Sequence, residues 1–138
     1  MAVAILDTSV YIDHWERGLY QNTLEILKRA YIIRHSAVVL SELRRGARGR
    51  EAERLVIALF ELATVRWEPS VADWWEAGSL VRSIGDKHDW DINKRRDFQN
   101  DALIALTARR HGAIVVTANS SDFELLRSVL RISVLSAR

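Results

Sequence analysis

The chain has 138 residues, 49% of them hydrophobic and 28% charged, enough to build one domain over residues 1–138 around a full core. Cysteine is absent, which excludes disulfides and thiolate metal sites, and no apolar run approaches the roughly 20 residues of a membrane-spanning helix. The formal net charge is only +2, but arginine supplies 17 of the 20 basic residues; its planar fork suits phosphates and carboxylates, although a GC-rich genome would give the same bias.

Ala2 to Leu6 is apolar throughout and reads as a buried strand. Ser9 is expected to cap a short helix carrying Val10, Tyr11 and Trp15, stopped by Gly18. Gln21 to Arg29 is a second helical stretch, and Tyr31 to Ile33 a short strand. Ser36 precedes a helix with Val38, Val39, Leu43 and Ala47. Glu51 to Ala63 is helical, with Leu55, Val56, Leu59 and Leu62 on one face. Val65 to Trp67 reads as strand, ended by Pro69. Ser70 caps the next helix, where Val71, Trp74, Trp75 and Val81 follow helical spacing and point to core or a dimer interface. Gly85 to Arg96 reads as a polar loop. Asp97 to His111 is an apolar helix closed by Gly112, and Ala113 to Val116 a strand. Ser120 or Ser121 is expected to cap a last helix, and Arg131 to Leu135 is the last strand. Strands alternating with helices predict an α/β domain with a central, mainly parallel sheet. Such sheets bind ligands beyond the carboxyl ends of their strands.

Those ends carry acids. Asp7 follows the first strand, and Asp122 lies shortly after "AIVV". Glu42 borders the apolar stripe of its helix. Asp101 opens the most apolar helix, with Asp97 one turn earlier on the same face. Each has an ordinary structural alternative. Asp7 suits a turn, Asp97 and Asp101 a helix N-terminus, Glu42 a partner such as Arg45, and Asp122 a cap. Together, four carboxylates at one edge would raise each other's pKa. A hard divalent cation, Mg²⁺ or Mn²⁺, relieves that conflict with oxygen ligands alone. Thr8, Ser9, Thr117, Asn119 and Ser121 suit the orientation of such carboxylates, or simple turn chemistry.

In this setting "LDTSVYID", "VVLSELRRGA", "NDALIALTARRHGAIVVT" and "TANSSDF" resemble the PIN-domain family, and within it the VapC-type toxins of bacterial toxin–antitoxin pairs. The four pieces stand in the family's order, each with its expected acid. The resemblance implies a three-layer α/β/α fold and a metal-dependent endoribonuclease using Mg²⁺ or Mn²⁺. It carries the family's acidic quartet onto Asp7, Glu42, Asp101 and Asp122, and its hydroxyl after the central strand onto Thr117. Asn119 matches a position often polar in the family. Asp97 lies outside the core four, as an extra ligand or a solvated acid. The resemblance also implies a homodimer and a small antitoxin partner whose basic or aromatic tail enters the acidic groove.

Asp7 and Asp101 are expected to ligate metal directly, with Glu42 and Asp122 acting through water or on the nucleophile. His14, His35, His88 and His111 lack metal-ligand spacing. Arg44 and Arg45, near Glu42, and Arg95 and Arg96, before Asp97, are candidates for RNA contacts or for solvated faces. The apolar start has no basic leader, so a cytoplasmic protein is expected. A receiver-like signalling domain competes, since it too carries strand-end aspartates, but no lysine follows a late strand here. A phosphatase with an aspartate nucleophile would want a second Asp where the chain has Ser9. A non-catalytic RNA-binding module is the third alternative, and it would have no use for buried carboxylates.

Overall fold

The five expected strands all form in the computed structural model, which describes residues 1–138. They are β1 (Val3–Leu6), β2 (Ile32–Ser36), β3 (Arg66–Trp67), β4 (Ile114–Thr117) and β5 (Ser133–Ser136). Every neighbouring pair is parallel, in the order β3-β2-β1-β4-β5. The helices are α1 (Thr8–Arg17), α2 (Gln21–Ala30), α3 (Ala37–Gly46), α4 (Arg50–Leu62), α5 (Val71–Lys87), α6 (Ile92–His111) and α7 (Ser120–Val129). None of them is long and apolar enough to cross a membrane.

Side chains alternate across a strand, and β1 uses that alternation to build both cores. Ala4 and Leu6 pack on one face with Val10 of α1 and Leu27 of α2. Ile5 faces the other way, onto a larger cluster that includes Val39 of α3, Phe98 of α6 and Phe123 of α7. The result is a three-layer α/β/α sandwich. Residues 102–108 of α6 are all buried, as expected of a helix enclosed on every side.

Three expectations change. Asp7, not Ser9, caps α1: its carboxylate accepts the Thr8 N–H at 2.7 Å. Asn119, not Ser120 or Ser121, holds the N-cap position of α7, without a side-chain capping bond. The expected loop from Gly85 to Arg96 shrinks to a short turn, because α5 runs on to Lys87 and α6 starts at Ile92. Asp91 causes the early start, its carboxylate accepting the Lys94 N–H at 2.8 Å. Gly85, near the end of α5, leaves room for the Arg95 side chain: a Cβ there would lie 2.9 Å from its guanidinium and push it aside.

Trp74 and Trp75 are not core residues; they are 51% and 85% exposed. The buried face of α5 is instead Asp73, Ala77, Ile84 and Gly85. Trp15 and Trp90 are partly buried against the larger core, and Trp67 stacks on His111 with ring centroids 3.9 Å apart.

Candidate functional site

The chain leaves β1 toward one side of the sheet and β4 toward the other, so the strand order reverses between these two neighbours. A crevice is expected at the carboxyl ends of strands where the order reverses. Asp7 sits there, its own N–H donating to Val116 O at 2.8 Å. The Asp7 side chain is 4% exposed and held by three donors. Thr8 N–H bonds Oδ1, while the hydroxyls of Ser9 and Thr117 reach Oδ2 at 2.8 and 2.9 Å. Ser9 Oγ also accepts the Ala118 N–H at 3.1 Å, which ties the start of α1 to the end of β4. Thr117 Oγ1 in turn accepts the Asn119 N–H at 3.0 Å. The Asn119 side chain is turned outward, to Ser121.

Glu42 reaches the same edge from α3. That helix is fixed by Ser36, whose hydroxyl accepts the N–H groups of Val38 and Val39. Thr8 Oγ1 donates to Glu42 Oε1 at 2.9 Å, so the dipeptide after β1 touches two of the four acids. Asp101 precedes the buried run of α6. Asp122, in the first turn of α7, is 6% exposed, and both of its oxygens accept Lys94 Nζ at 2.8 Å.

The four acids lie close enough for their charges to act on one another. Asp101 is pushed up to about 9, first by burial and then by Asp7, Asp122 and Glu42. Asp7 is raised because its burial outweighs the hydroxyl and amide donors around it. Glu42 is raised by burial and by Asp7, against the Thr8 hydroxyl and the Asn100 amide. The carboxylates that bear on Asp101 do not include Asp97, which stands exposed.

The acids offer only oxygen ligands, and apart from Lys94 on Asp122 no cation is hydrogen-bonded to them. Both features fit a hard divalent cation such as Mg²⁺ or Mn²⁺. No three acidic or histidine side chains converge tightly enough to hold an ion as they stand, so ligation would draw the carboxylates inward. Glu42 also lines an open cleft of about 290 Å³ with Arg45, Trp74 and Asn100. A larger cavity, about 450 Å³, is lined by none of the four acids but by residues such as Val10, Leu24 and Ile33.

The basic candidates divide. Arg44, Arg45 and Arg96 are exposed. Arg95 is engaged in the turn between α5 and α6, bonding Asp86 and the Trp90 carbonyl at 2.9 Å each. The ion pair of Lys94 with Asp122 was not foreseen. Lys94 lies two helical turns before Asp101, and a helix begun at Asp91 would have placed both on one face.

Sheet order and acidic crevice together define an open α/β protein with a carboxylate pocket at its switch point. Residues 4–127 match the model of the PIN domain. The chain belongs to the PIN-domain family. Its fold is shared with VapBC2 from Rickettsia felis bound to a promoter DNA fragment, at 24% identity and TM-score 0.66, over 97% of this chain and 98% of that one. DNA-bound VapBC from Salmonella typhimurium aligns over all of both chains, at 20% identity and TM-score 0.68. VapBC-5 from Mycobacterium tuberculosis, of a family of toxin–antitoxin systems, aligns over 99% of both chains at 20% identity and TM-score 0.63. Among curated protein sequences there is no match. Family membership leaves the receiver and phosphatase alternatives without support.

Proposed function

We propose that this protein is an Mg²⁺- or Mn²⁺-dependent endoribonuclease and the toxin of a toxin–antitoxin pair. The reading rests on one observation above the rest: a PIN-domain chain whose first strand is followed by a buried Asp7 held by Thr8, Ser9 and Thr117, with Glu42 on the same Thr8 and Asp101 half-buried beside them. A bare acidic pocket repels a phosphodiester, and a bound divalent cation supplies the positive charge that admits and polarises it. Asp7 and Asp101 would hold that cation directly. Asp7 is the better prepared of the two, since Thr8, Ser9 and Thr117 already fix both of its oxygens. Glu42, steadied by Thr8, and Asp122 would orient the attacking water and take up its proton. Arg44, Arg45 and Arg96 at the rim would contact the RNA backbone.

The relatives of like fold are complexes of the VapBC type, and they suggest a small antitoxin as partner. A homodimer has a candidate face on α5, where Val71, Trp74 and Trp75 stand exposed. We place the protein in the cytoplasm. The deciding experiment incubates purified protein with end-labelled RNA in Mg²⁺, in Mn²⁺ and in excess EDTA. Cleavage is expected only with a metal, and Asp7→Asn and Asp101→Asn are expected to abolish it while remaining folded. Equal cleavage in EDTA, or full activity in both variants, would overturn the assignment. Expression without the antitoxin is expected to arrest growth.

A further inference from the structure

The Lys94 side chain is partly exposed, but its ammonium is held in place. Its backbone N–H is fixed by the Asp91 cap at 2.8 Å. Its ammonium lies 5.0 Å from the centre of the Trp90 ring, and that ring packs edge-on against the fully buried Phe98 at 4.8 Å. From this seat Nζ reaches both oxygens of Asp122 at 2.8 Å, on a side chain only 8% exposed. An ammonium resting on an aromatic face and bonding a buried carboxylate twice is part of the pocket.

The position has a consequence for charge. Carboxylate nucleases that work with two cations hold them roughly 4 Å apart, and both need carboxylate oxygens. Here one of the four carboxylates already has a fixed positive partner. A second dication beside Asp122 would have to displace Nζ or endure its repulsion at short range in a partly dry site. Asp7, Glu42 and Asp101 have no lysine or arginine among their hydrogen-bond partners; Arg45, whose charge bears on Glu42, is exposed.

We infer that the Lys94 ammonium stands in for a second cation, so that the pocket takes one divalent ion, held directly by Asp7 and Asp101 with Glu42 acting through water. Lys94 is then a positioning residue that acts through Asp122, and it sets the number of ions. The inference rests on the metal-dependent reading above.

The test counts ions in the full chain, independently of activity. Mn²⁺ is titrated into the protein, and the free-ion electron paramagnetic resonance signal gives the number bound. One Mn²⁺ per chain is expected. Lys94→Met, with Lys94→Gln as a second variant should the first misfold, is expected to bind two. Lys94→Arg keeps the charge and is expected to return the count to one. Adding Asp122→Asn to Lys94→Met is expected to do the same, which a merely structural role for Lys94 would not produce. Two ions in the unaltered protein, or one in both the Met and the Gln variants, would overturn the inference and leave the nuclease reading standing. No bound Mn²⁺ at all would overturn the metal-dependent reading itself.

Discussion

Asp101 shows how a single side chain can set activity against stability. An unfolded aspartate titrates near 3.8, whereas this one titrates near 9 in the fold without metal. Between those values the folded chain holds a proton that the unfolded chain lacks. Stability from this group is therefore full below the lower value and is lost as pH rises toward the upper one. Melting in EDTA is expected to fall steadily from about pH 5 to about pH 8. Asp101→Asn is expected to flatten that decline and raise the midpoint at neutral pH, since functional groups are often held at a cost to the fold. Mg²⁺ is expected to stabilise the unaltered protein more at high pH, because it binds the deprotonated carboxylate. A midpoint that rises with pH in EDTA would contradict this account. Thr117→Val removes a hydroxyl from Asp7 at nearly constant volume, and calorimetry is expected to show metal affinity weakened about tenfold or more. At this scale Asp7 and Asp122 stand out in the sequence because they follow strands, and Glu42 and Asp101 because they interrupt the apolar spacing of helices. The Lys94–Asp122 pair is not legible, because it joins residues 28 apart and Lys94 lies in a polar stretch with no apolar spacing to mark it as helix.

The turn between α5 and α6 explains most of what the elements concealed. Positions 92–96 are largely polar, so apolar spacing carries no helical signal there, and the stretch is helical because Asp91 caps it. In α5 the spacing was real but the face was wrong. Trp74 and Trp75 fit a helical stripe, yet Asp73, Ala77 and Ile84 fit one as well, and the second stripe is the buried one. A buried aspartate looked unlike core until its partners were known. Ser70 and Asp73 form a reciprocal cap, and Arg110 of α6 bonds Asp73 at 3.1 Å. Burial would raise this carboxyl, but the Ser70 amide and the Arg110 guanidinium outweigh it and hold it low. Asp73→Ala breaks the cap and the link between helices together. It is expected to cost roughly 2 kcal/mol in urea unfolding without changing the cleavage products.

For the whole molecule, alternating strands and helices made the parallel α/β class legible, and apolar "VAIL" and "AIVV" marked the inner strands. The order of the strands was not legible, since it depends on which side each crossover takes. Surface predictions belong to this scale. Trp75 is 85% exposed, so Trp75→Glu is expected to leave the melting midpoint of the isolated chain unchanged. If α5 forms the dimer face, the same change shifts the protein to monomer in sedimentation. The pairing of β1 with β4 has a further effect. Asp7 follows β1 and Thr117 ends β4, two strands that lie inside the sheet, flanked by β2 and β5. Their amide hydrogens should be among the last to exchange with deuterated solvent, opening only when the entire chain does. Local fraying at the termini or at the α5–α6 turn would therefore leave the carboxylate pocket assembled, and a protease would have to wait for the whole chain to unravel before it could dismantle it.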